Sequence, residues 1–84
     1  MDVYAKEVKQ GDEVTIVTSE ATARLCPHPN CGTDHHITRI PQGTILKIEG
    51  IMTVKIGIMK VKWFEVTYKG MRGWINMYDT NIAQ

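Results

Sequence analysis

The sequence predicts an all-β fold, and three observations carry that reading. Valine, isoleucine and threonine supply 26 of the 84 residues, whereas leucine and alanine together supply six. β-Branched side chains are stiff at χ1 and suit a pleated surface, while leucine and alanine favour helices. Second, Trp63-Phe64-Glu65-Val66-Thr67-Tyr68 alternates with a period of two, which sends Phe64, Val66 and Tyr68 to one face and Trp63, Glu65 and Thr67 to the other. Third, glycine, proline, asparagine and aspartate recur at short spacing between the β-rich runs. At this length a single small barrel of five or six strands is the expected form.

The elements follow in order. Residues 1–12 are polar and read as a lead-in, with the domain proper over 13–84. Val14-Thr15-Ile16-Val17-Thr18 is a strand, and Ala21 to Leu25 is a second extended piece after a bend at Ser19-Glu20. Residues 26–36, CPHPNCGTDHH, form a loop on turn chemistry alone. Ile37 to Ile40 is short. Ile40-Pro41-Gln42-Gly43 is a turn, because proline presets φ at its second position and glycine suits its fourth. Thr44 to Glu49 is a strand, which Gly50 interrupts. Ile51 to Lys62 is rich in β-formers and hinges at Gly57, so it reads as an extended hairpin. Trp63 to Tyr68 is a further strand, Lys69-Gly70 a two-residue hairpin turn, and Met71 to Asn76 the return. Tyr78-Asp79-Thr80-Asn81 is a closing turn or one turn of tight helix.

Composition narrows the function classes. Apolar residues make up 43% and charged residues 23%, ordinary for a folded domain. No run reaches the roughly 18 apolar residues of a membrane-spanning helix. The charged start lacks the apolar stretch of a signal peptide. A net charge of +1 gives no electrostatic footprint for nucleic acid or a membrane surface. If Met1 is the native start the chain is expected in the cytoplasm; if it is excised from a longer protein, the cell envelope or the exterior fits.

Both cysteines and all three histidines lie between residues 26 and 36, in the pattern Cys26-x-His28-x2-Cys31-x3-His35-His36. Thiolate and imidazole suit zinc, and a tetrahedral site needs four ligands. Cys26 and Cys31 with His35 or His36, and His28 as a fourth, would make a small zinc-binding domain. The alternatives are a Cys26–Cys31 disulfide, which a loop of four intervening residues allows, and two free thiols beside solvated histidines. Thiol catalysis would also need an oxyanion hole and a cleft, which a chain this short rarely builds; no enzymatic activity is expected.

Three pieces in this order resemble the bacterial SH3-like (SH3b) domain. Ala23-Arg24-Leu25-Cys26-Pro27 is similar to that family's NVRSGP or NVRSCP stretch, and Pro41-Gln42-Gly43-Thr44-Ile45-Leu46 to its KKGTKV turn and strand. Trp63 to Ile75, WFEVTYKGMRGWI, is similar to WYKVKYNGKTGWV, with both tryptophans, the hairpin glycine and the glycine before Trp74 in register. The segment between Ile48 and Trp63 is longer than the loop usual there. The resemblance implies a small β-barrel with a binding role, often toward cell-wall peptide or as an adaptor, and it supports proximity of Cys26 and Cys31, since such pairs recur in that loop. Fold-level analogy does not itself assign function.

The expectation is therefore a non-enzymatic module that binds a peptide or protein surface. Trp63, outward on its strand, would form an aromatic groove with Trp74 and with Tyr78 of the closing turn, with Arg24 and Glu65 at its polar edge; the alternative is that one tryptophan caps the open end of the barrel. Met52, Val54, Ile56 and Ile58 would form an apolar partner interface on the hairpin, for a homodimer or for a larger assembly that the chain regulates or inhibits; the alternative is an ordinary strand pair that completes the sheet.

Overall fold

In the computed structural model, which describes residues 8–32 and 35–83, seven strands follow one another: β1 Glu13–Thr15, β2 Thr22–Leu25, β3 Thr38–Pro41, β4 Ile45–Lys47, β5 Gly50–Ile56, β6 Met59–Tyr68 and β7 Met71–Asn76. All pairing is antiparallel. β1 pairs with β4, β2 with β3, and β5, β6 and β7 form a three-stranded sheet in that order. Two turns of 3-10 helix, Met77–Asp79 and Asn81–Ala83, end the described chain. The fold is all-β, as composition predicts.

Four local features differ from the sequence reading. The turn expected over Ile40–Gly43 falls one residue later, since Pro41 closes β3 opposite Thr22 and the Thr44 amide donates to the Pro41 carbonyl at 3.3 Å. The strand count is seven rather than five or six. Met59–Tyr68 is one ten-residue strand, so the long hairpin and the Trp63–Tyr68 strand are continuous. Gly50 opens β5 instead of interrupting it. Gly50 is the register partner of Glu65, yet the Glu49 amide donates to the Glu65 carbonyl at 2.7 Å. Two residues thus oppose one, the mark of a bulge, which bends the strand and keeps it paired. Most of the lead-in, residues 1–7, lies outside the described residues. Its end is tied down: Gly11 donates to the Ile48 carbonyl and Ile48 to the Asp12 carbonyl, both at 2.8 Å, and Val8 packs on the core.

The core lies between the ladders. Phe64 and Val66 are fully buried, as the alternation requires, and they meet Val14, Ile16, Leu25, Ile40, Ile48 and Ile75. Burying such side chains stabilises the fold by about 1.5–3 kcal/mol each. Backbone bonds join the ladders at their ends. Cys26 and Trp74 exchange two amide–carbonyl bonds at 2.8 Å, fastening β2 to β7, and Val17 donates to the Asp79 carbonyl at 3.0 Å. Ile16 also bridges Thr80.

Candidate functional site

β2 sends Ala23 and Leu25 inward, so Arg24 points outward by simple alternation. β6 does the same in reverse, and Trp63 stands on the outer face of the three-stranded sheet. Trp63 pairs with Asn76 and Glu65 with Trp74, which makes the two indoles diagonal neighbours on that face. Over it folds the start of loop 26–36, closed by a Cys26–Cys31 disulfide. Cys26, Val61 and Trp63 form a second buried cluster, against which Cys31, Val54, Trp74 and Met77 pack.

This cover corrects the exposed tryptophan pair. Trp63 is outward on its strand, yet only 6% of its surface is accessible, because the cystine lies against the face it occupies. Its indole Nε1 is buried and has no hydrogen-bond acceptor among the described residues. Trp74 is half-buried. Tyr78 is exposed, on the first 3-10 turn, where the Asn76 side-chain oxygen caps the helix by accepting from the Tyr78 amide at 2.8 Å.

A hollow of about 140 Å³ opens between these parts, lined by Arg24, Cys26, Cys31, Trp63, Asn76, Tyr78 and Asp79. A neighbouring hollow of about 120 Å³, lined by Thr18, Ser19, Glu20, Thr22 and Ala23, shares Arg24 and Asp79 with it. Arg24 and Asp79 are therefore shared by two hollows whose exposed linings are both mainly polar, one of them backed by Trp63, Tyr78 and the cystine. Burial pushes the Asp79 carboxyl above the ordinary aspartate range; a hydrogen bond with Thr18 and the Arg24 charge act against the shift, and Glu20 adds to it.

Of the groove residues expected from sequence, Arg24, Trp63 and Tyr78 line one hollow. Trp74 and Glu65 do not line it. Trp74 packs on the cystine cluster, and the Glu65 side chain lies beside Gly50. Asn76 and Asp79 join the site without having been singled out; Asp79 sits in the closing turn, whose chemistry reads only as a turn.

The cysteine pairing excludes the zinc arrangement in this state, because both sulfurs are committed to each other. Among the described residues, no group of three or more histidine, cysteine, aspartate or glutamate side chains could hold a metal ion. His28 Nδ1 lies 3.1 Å from the Pro29 carbonyl, and the His35 amide donates to the Gly32 carbonyl at 3.2 Å. Residues 33 and 34 of the loop lie outside the described residues.

No model of a known protein family matches the chain, and neither the curated proteins nor the solved structures yield a match.

Proposed function

We propose that this chain is a non-enzymatic binding module on the plan of a small SH3-like barrel, and that it holds a peptide or protein segment across Arg24 and Asp79. The observation that carries the reading is the convergence of Arg24, Trp63 and Tyr78, from three separate elements, on one hollow. Such a volume is well below the roughly 300–1,000 Å³ of small-molecule sites. It suits one side chain of a longer ligand, with the next group falling into the hollow beside it. Tyr78 offers a large contact area at small entropic cost, and Arg24 and Asp79 give the site a donor fork and an acceptor. The backbone bonds that join the three ladders end to end support the barrel plan.

The test begins with peptides selected from a displayed random library on the folded protein. Tyr78→Ala and Arg24→Ala are each expected to weaken the selected peptide about tenfold or more, the effect of losing an interface anchor. Trp63→Ala is unsuited to this purpose, since Trp63 is part of a buried cluster. Full affinity in both variants, with the fold intact, overturns the proposal.

A further inference from the structure

The β5–β6 hairpin presents a second surface, remote in chemistry from the hollow. Its register places Met52 opposite Trp63, Val54 opposite Val61 and Ile56 opposite Met59, so these six apolar side chains share one face. The other face runs from Ile51 and Phe64 at the base to the pairs Thr53–Lys62 and Lys55–Lys60 toward the tip. The cystine cluster covers the apolar face at Val54, Val61 and Trp63. Beyond it Met52, Ile56, Ile58 and Met59 are 46%, 50%, 101% and 54% exposed.

The hairpin is also one-sided in charge. Between Glu49 and Glu65 there is no acidic residue, while Lys55, Lys60 and Lys62 all lie there. Lys55 and Lys60 stand directly opposite each other, and like charges so placed repel.

The outer edge of β5 is open. Lys62 donates its amide to the Met77 sulfur at 3.4 Å, away from β5. In an antiparallel ladder the N–H and C=O of one residue point the same way. Thr53, the partner of Lys62, therefore forms a non-hydrogen-bonded pair and turns its own N–H and C=O outward, and Ile51 and Lys55 follow at a period of two. Among the described residues β5 pairs with β6 alone.

We propose that β5 is the landing edge for an extended segment of a partner protein in which acidic and apolar residues alternate. Main-chain bonds to Ile51, Thr53 and Lys55 supply the pairing. The apolar side chains of the segment extend the face of Met52, Val54 and Ile56, and its carboxylates meet Lys55, Lys60 and Lys62. A second copy fits less well, because antiparallel self-pairing about Thr53 brings two sets of these lysines onto one face. A lipid surface would accept the apolar side chains but leave the open row of amides and carbonyls unpaired in hydrocarbon.

The probe is a synthetic peptide alternating valine and glutamate, compared with one in which lysine replaces glutamate. The acidic peptide is expected to bind about tenfold or more tightly than the basic one, since like-charge contact is strongly unfavourable. It should shift the amide resonances of Ile51, Thr53 and Lys55 and slow their hydrogen exchange. Lys55→Glu with Lys60→Glu should reverse the preference. Thr53→Pro removes one outward donor that β6 does not use and should abolish binding, the fold being checked by the unchanged resonances of β7. Tyr78→Ala should leave this peptide's affinity unchanged, which separates this surface from the hollow. The proposal is overturned by equal binding of both peptides, by shifts confined to Arg24, Asn76 and Tyr78, by dimerisation through the hairpin, or by uptake onto phosphatidylserine-containing vesicles without peptide binding.

Discussion

Asp79 and Glu49 show how single carboxyls respond oppositely to their settings. Asp79 is held above its ordinary pKa chiefly by burial. A raised carboxyl favours the neutral form, so its contribution to stability is present below the unfolded pKa and is lost as pH rises through the folded one. Asp79→Asn should therefore be more stable than the parent near pH 7, and the difference should fade as pH falls and vanish by about pH 3, about one unit below the unfolded aspartate value, where both states carry a protonated Asp79. Urea unfolding across that range checks it, with Thr18, Glu20 and Arg24 unchanged. Glu49 is held below its ordinary value by hydrogen bonds with Thr67 and Arg72 and by the Arg72 charge, so its contribution has the opposite sign and fades as pH falls. Legibility was uneven at this scale. Period-two alternation put Trp63 on the correct face. It could not show that face to be covered, because the cover comes from a cystine more than thirty positions away in the chain.

The two glycine-bearing hairpin turns were the most readable elements, since their backbone demands are local, whereas the turn at Pro41 falls one residue later than its proline suggests, because Pro41 pairs with Thr22 at the end of β3. Lys69 and Gly70 both adopt left-handed φ, 50° and 79°, as a two-residue turn of the I′ type requires. Gly57, at φ 62°, turns the other hairpin. Strand continuity was less readable, because Met59–Tyr68 crosses from an exposed tip to the core and its pattern of exposure changes along the way. The crossing of β2 over β7 depends on one glycine. A Cβ on Gly73 would lie 2.7 Å from the Cys26 carbonyl oxygen and 2.8 Å from Leu25 Cγ. Neither the backbone oxygen nor a buried leucine can give way cheaply. Gly73→Ala should cost about 1–3 kcal/mol, the usual penalty of overpacking, measured as a lower urea midpoint at unchanged slope.

At the scale of the molecule, three short ladders enclose the main core, and the cystine closes a second, smaller cluster on the outside of the largest sheet. Extents of 37 × 26 × 24 Å fit one elongated body. Which pairing state the cysteines take was open in the sequence, since spacing permits several; contact with Trp63 and Val61 explains why a closed loop fits here. Replacing Cys31 by alanine should lower stability by about 2 kcal/mol, the low end for cross-links because the enclosed loop is short, and should shift Trp63 fluorescence to longer wavelength as water reaches the ring. Both sulfur-bearing residues are also walls of the hollow. On the proposed binding role, a guest of the hollow that prefers the bridged form must, by reciprocity, make that form harder for dithiothreitol to open.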